Sequence, residues 1–111
     1  MERTELTTAW LALLVAGLLE IGWALGLKYS DGLTRFWPTV ATIIAIILSF
    51  AAMGVSLRSL PFSTAYALWA GIGAAGTMII GIMAFGESAD LLRVTCVVMI
   101  IAGVVGLRLA S

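Results

Sequence analysis

The chain has 111 residues, of which 62% are hydrophobic and 11% charged, with six basic and six acidic residues and a formal net charge of zero. No water-soluble domain of this length carries a mean hydropathy of +1.15 without a very large exposed apolar surface, so the composition predicts an integral membrane protein. Six scattered, balanced basic residues exclude an electrostatic nucleic-acid binder, and the lack of histidine with a single cysteine excludes a zinc or redox-metal site within one chain.

The charged residues fall in short clusters between four long apolar runs, at about 9–27, 38–57, 64–85 and 92–107. At 1.5 Å per residue, runs of roughly 16 to 22 residues give helices of about 24 to 33 Å, near the hydrocarbon thickness of a bilayer. The expected fold is therefore an all-α membrane protein, a single transmembrane domain of four helices over residues 1–111, with no soluble domain. No nucleophile beside a base, phosphate loop or cofactor motif occurs, so neither an enzyme nor a bound cofactor is expected.

The first run is preceded by Met1 to Thr8, a flank with Glu2, Arg3 and Glu5 in place of a net positive charge. With the length of the run and the acid inside it, this argues against a cleaved signal peptide. That acid, Glu20, is the one ionisable residue deep in any of the four runs. A carboxylate at mid-membrane costs about 2.5 to 3.5 kcal/mol on insertion scales, and such residues face cavities and mark solute or ion paths. Gly17 and Trp23, three residues to either side, share its helical face: the glycine opens space and the indole offers an N–H donor.

The second run places Ser49 near its middle, and Pro61 marks the short turn that follows. At the start of the third run, Tyr66, Trp69 and Gly73 follow i, i+3, i+7 spacing and form one stripe. Either the aromatics line a polar cavity or they belong to an interfacial belt, which Tyr66 fits better than Trp69. Further along, Gly73, Thr77 and Gly81 lie four apart, widened by Gly71 and Gly76. Ser88 or Asp90 is positioned to cap the fourth helix. In the fourth run Ala102 and Gly106 form a second small-xxx-small pair beside Met99 and Gly103, and Cys96 suits a small, inert, buried side chain. Small residues let backbones approach closely in lipid, so the two stripes serve dimer packing or helix packing within one chain.

With four spans, Arg3, Arg58 and Arg108 fall on one side of the membrane and Lys28, Arg35 and Arg93 on the other. This three-against-three balance gives the positive-inside rule no direction. Either the first helix alone sets one orientation or the chain inserts both ways. Four short helices enclose little volume, and alternating access needs two inverted halves, so an antiparallel homodimer is the expected assembly.

A cavity of carboxylates, hydroxyl, phenol and indoles without a buried base prefers a cation. Two Glu20 side chains meeting in a dimer titrate as one coupled unit. Protonated, the site is neutral; ionised, it needs a cation in compensation, so substrate and protons compete for the same carboxylates. The predicted chemistry is proton/cation antiport.

At these residues the chain resembles the small multidrug resistance (SMR) family, and within it the guanidinium-exporting subtype. The matching segments are "AGLLEIGWALGLKYSDGLTRFWP", "SLPFSTAYALWAGIGAAG" and "GESADLLR", and Glu20 followed by Trp23 is the feature most similar to that subtype. The resemblance implies a dual-topology, multi-pass antiparallel homodimer in the plasma membrane that exchanges protons for guanidinium and confers efflux. It implies that Glu20 is the shared proton and substrate site, that Trp23 and Ser49 bond and orient it, that Tyr66 gates and that Trp69 lines the pocket. Gly17 matches the small residue that makes room for substrate, and Lys28 matches a loop lysine without a derived role. Three alternatives stay open: an SMR exporter of quaternary ammonium or other hydrophobic organic cations, a passive cation or proton channel, and an accessory subunit of a larger membrane complex.

Overall fold

The computed structural model describes residues 3–110; Met1, Glu2 and Ser111 lie outside the described residues. Four α-helices account for nearly all of it: α1 (Arg3–Tyr29), α2 (Phe36–Ser56), α3 (Phe62–Ala84) and α4 (Leu91–Ala110). All four are long and apolar enough to cross a membrane, and the protein is a multi-pass membrane protein.

Each helix end has a local cause. α1 is already helical at Arg3, the first described residue, so the polar flank ahead of the apolar run is part of the helix: Glu5 lies near its N-terminal end, where the dipole favours an anion, and Lys28 in its last turn. At 27 residues it is about 40 Å long, more than the hydrocarbon needs. After α1 the backbone turns through three successive left-handed residues, Asp31 (φ 51°), Gly32 (φ 72°) and Leu33 (φ 67°). The buried Ser30 holds this turn, its Oγ donating to Leu27 O at 2.7 Å and accepting from Leu33 N–H at 3.0 Å.

Pro61 precedes α3, where its missing N–H costs nothing. After α3, Gly86 adopts φ 66°, and the N–H groups of Phe85 and Glu87 both donate to Gly81 O, at 3.1 and 3.2 Å. Asp90 caps α4, accepting from Arg93 N–H at 2.9 Å, while the Ser88 hydroxyl donates to the other oxygen of the same carboxylate. Of the two candidate caps, Asp90 takes the backbone bond.

The helices form a slab with Cα extents of 44 × 37 × 18 Å. α1 packs along both α2 and α3, α4 packs along α3, and α2 meets α3 only briefly. Ala9, Leu13 and Ala16 of α1, Met53 of α2 and Ala65 and Leu68 of α3 make the buried core, together with Leu60.

The α3 glycines belong to this internal packing. A methyl at Gly71 would stand 2.6 Å from Val104 of α4, and one at Gly76 would stand 2.8 Å from Ile21 Cγ1 of α1. On α4, in contrast, Ala102, Gly103 and Gly106 are exposed, and a methyl added at either glycine would meet nothing within 4 Å. Cys96 is exposed too, contrary to the expectation of a buried thiol. The reason is shared: α4 packs along α3 and otherwise touches α1 through Arg108, over the Trp10 ring at 4.2 Å, so most of its circumference, with the single buried residue Val97 excepted, faces outward.

Candidate functional site

Glu20 lies two-thirds of the way along α1, on the side that meets α3. Three contacts fix the register: Gly17 against Ile72, Glu20 against Gly73 and Ile21 against Gly76. The pairs advance together, so α1 and α3 run side by side in the same direction. The Glu20 carboxylate lies directly over the Gly73 backbone, where an added methyl would come within 2.9 Å of Glu20 Cγ and nearer still to the carboxylate. Here glycine is needed for close approach and not for its backbone angles.

The carboxylate is held, yet not satisfied by the chain. Glu20 Oε2 is buried without a hydrogen-bond partner, and so is Trp23 Nε1, less than one turn further along α1. An acceptor and a donor left unpaired cost about 1 to 3 kcal/mol each, so native structures keep them where a ligand, proton or partner engages them. The described lysines and arginines lie at helix ends or in connections, so among the described residues no cation sits beside Glu20 to neutralise it.

One turn nearer the N-terminus of α1 is a satisfied polar group. Ser49, fully buried on α2, donates from Oγ to Ala16 O at 2.8 Å and accepts from Trp69 Nε1 at 3.2 Å. One hydroxyl thus ties α1, α2 and α3 together. Trp69 is packed edge-on by Phe50 at 5.4 Å and by Tyr66 at 5.9 Å, while Tyr66, about half exposed, leans on Phe62 at 6.1 Å. Beside this aromatic ledge an apolar cavity of about 300 Å³ opens between α2 and α3, lined by Phe50, Met53, Gly54, Leu57, Tyr66 and Trp69.

The structure therefore distributes the sequence candidates over two adjoining layers. Glu20, Trp23 and Gly73 make one; Ser49, Trp69 and Tyr66 make the other, joined to the first through α1. The hydrogen bonds of Ser49 go to Ala16 and Trp69, and the space beside Gly17 is filled by Ile72, whose Cγ2 would be 2.6 Å from an added methyl. Sequence reasoning missed Phe50 and Ile72. Phe50 carried a usable signal, an aromatic inside the second run next to Ser49; Ile72 carried none, being one branched aliphatic among many.

A family model described as Small Multidrug Resistance protein matches residues 8–100. A guanidinium exporter from Proteus vulgaris is 52% identical over 103 residues, covering 93% of this chain and 99% of the relative. Guanidinium exporters from Yersinia pseudotuberculosis and Citrobacter freundii are each 50% identical over 103 residues, covering 93% of this chain and 99% and 98% of theirs. With its matched residues running from the end of the polar flank into the middle of α4, the chain belongs to the small multidrug resistance family.

Proposed function

We propose that this protein is a proton-coupled antiporter that exports guanidinium across the plasma membrane as an antiparallel homodimer, with protons and substrate competing for a pair of Glu20 carboxylates. The observation that carries the reading is the buried, unpartnered Oε2 of Glu20 at mid-membrane, lying over Gly73 with no basic side chain of the spans near it. The names of the relatives, which are half identical over almost their whole length, supply the substrate.

Guanidinium is planar, with N–H donors in parallel pairs that match a carboxylate's two oxygens, and it sheds water more readily than an ammonium ion. Two carboxylates facing each other receive it from both edges. Trp23, Ser49, Tyr66 and Trp69 provide the polar and aromatic surround, and Gly17 and Gly73 the closeness of α1 to α3. An ionised empty pair is costly in a low-dielectric site, so the dimer changes facing only when protons or a cation are bound. That restriction converts a proton gradient into export.

Three observations support the dimer. The chain is a slab 18 Å thick on its short axis; the Ala102, Gly103 and Gly106 stripe is free of intrachain contacts at its glycines; and the basic residues divide three and three between the two sides. A second reading, export of quaternary ammonium or other hydrophobic cations, is favoured by the apolar cavity between α2 and α3.

The deciding experiment is transport in sealed liposomes containing only this protein, with a trapped pH dye and Glu20→Gln in parallel. Guanidinium-driven opposing proton flux that vanishes in the variant supports the reading. Proton leak without guanidinium, or flux elicited only by bulky quaternary cations, replaces it with a channel or a broader exporter.

A further inference from the structure

Lys28 has no part in the exchange described above, yet its position is specific. Its Nζ lies 5.1 Å from the centroid of the Phe85 ring, which Tyr29 also contacts at 5.6 Å between centroids. Lys28 and Phe85 border a cavity of about 140 Å³ between the C-terminal parts of α1 and α3, lined also by Ala24, Thr77, Gly81 and Glu87. Ala24 stands one turn beyond Glu20 on α1, and Thr77 one turn beyond Gly73 on α3. The cavity therefore starts about 6 Å along the helix axes from the Glu20 level and ends at two exposed charges, Lys28 and Glu87.

Its acidic wall is held in place. The Glu87 carboxylate folds over Gly81, where a methyl would stand 2.8 Å from its Cδ, and the left-handed Gly86 turns Phe85 and Glu87 back onto the Gly81 carbonyl. Arg93 Nη2 reaches the same carboxylate at 3.5 Å. Two cations of the chain, an ammonium and a guanidinium, thus occupy the ring and the carboxylate that border one cavity. A ring face attracts a cation through its quadrupole, and a carboxylate accepts a guanidinium through charge-assisted hydrogen bonds. A free guanidinium ion would be held by the same two groups.

We propose that the cavity formed by Phe85 and Glu87 is a vestibular binding site for guanidinium-type cations, which Lys28 fills when no cation is bound and from which the cation passes to Glu20. The proposal rests on the guanidinium reading of the Glu20 site. Lys28 is then an internal competitor, a point charge on a flexible stem that swings out when substrate enters. Its removal should help capture, whereas removal of the ring or the carboxylate should hinder it.

The test measures guanidinium KM and kcat in proteoliposomes for wild type, Lys28→Met, Glu87→Gln and Phe85→Leu. In parallel, a fluorinated phenylalanine at position 85 is followed by fluorine NMR while guanidinium is titrated into Glu20→Gln at constant ionic strength. Lys28→Met should lower KM about two- to five-fold, and Glu87→Gln and Phe85→Leu should raise it by a similar factor with smaller changes in kcat. The fluorine resonance should shift saturably although the Glu20 site is disabled. A KM in Lys28→Met at or above the wild-type value, or a resonance that does not move, overturns the vestibule. The gain in Lys28→Met cannot come from misfolding. If wild type moves no guanidinium, the functional reading fails, while the fluorine titration still decides whether the cavity binds the cation.

Discussion

Gly73→Ala tests whether the carboxylate over the α3 backbone is the working part of the site. The added methyl would sit 2.9 Å from Glu20 Cγ and closer to the carboxylate, below any real carbon–carbon approach, so something must shift. The obstacle is the end of a flexible side chain, so Glu20 swings away and the helices hardly move. Alanine is a better helix former than glycine by about 1 kcal/mol, which offsets what overpacking costs, so the thermal midpoint of the purified protein should stay near wild type. Function should not. Moving a reacting group by about 1 Å can lower a rate about a hundredfold, and we expect guanidinium kcat/KM in proteoliposomes to fall at least tenfold, a loss of about 1.4 kcal/mol. Gly76→Ala, one turn along the same stripe, is the contrast. Its methyl meets Ile21, at 2.8 Å from Cγ1, so it displaces an uncharged side chain and should leave the thermal midpoint near wild type and the pH dependence of transport unchanged. Wild-type kcat/KM in Gly73→Ala would refute the assignment of Glu20, over Gly73, as the binding group.

Ser49→Ala leaves Trp69 Nε1 without its acceptor and removes the tie to Ala16 O, and should cost about 1 to 3 kcal/mol, seen as a lower thermal midpoint with altered tryptophan fluorescence. Because protons and guanidinium compete for ionised carboxylates, guanidinium affinity should rise with pH, by at most about tenfold per unit for each proton displaced, and level off once the pair is ionised. Isothermal titration across pH reads this directly; an affinity independent of pH would separate the two sites. Gly103→Leu and Gly106→Leu should leave helix content unchanged, since no intrachain atom lies within 4 Å of either added carbon, yet should shift the detergent-solubilised protein from dimer to monomer in light scattering.

How much could be read from sequence depended on the kind of constraint. Hydropathy placed the four spans because a bilayer sets their minimum length, but it could not show that the flank Arg3 to Thr8 belongs to α1, since that flank is polar and helical for reasons of dipole and local hydrogen bonding. Glu20 was legible as a candidate because a lone acid in an apolar run is costly to insert. The partition of the site was not. Spacing put Gly17 and Trp23 on the face of Glu20 but could not show that Ile72 fills the space by Gly17, or that Ser49 bonds Ala16 and Trp69. Those facts depend on the register between α1, α2 and α3, which no periodicity within one helix encodes. Cys96 failed for the same reason: burial depends on how much of α4 is covered, and α4 packs along its length against α3 only.

The open side of α4 connects the fold to the proposed function. The chain lays its four helices in a slab and leaves the acid's Oε2 and the Trp23 N–H without partners, groups that the proposed second chain or its cargo would engage. The glycines divide the labour accordingly. Gly73 and Gly76 bring α3 against α1 and so set the depth at which the carboxylate lies, while Gly103 and Gly106 on the far edge do nothing inside the chain. Close-approach glycines lower the cost of bringing backbones together in lipid only where another backbone arrives. A stripe of them on α4, open at Gly103 and Gly106, suits the helix that the proposed second chain would bring. In the proposed antiparallel pair, the second chain supplies that helix and brings a second Glu20 opposite the first, so the packing that completes the dimer also assembles the site.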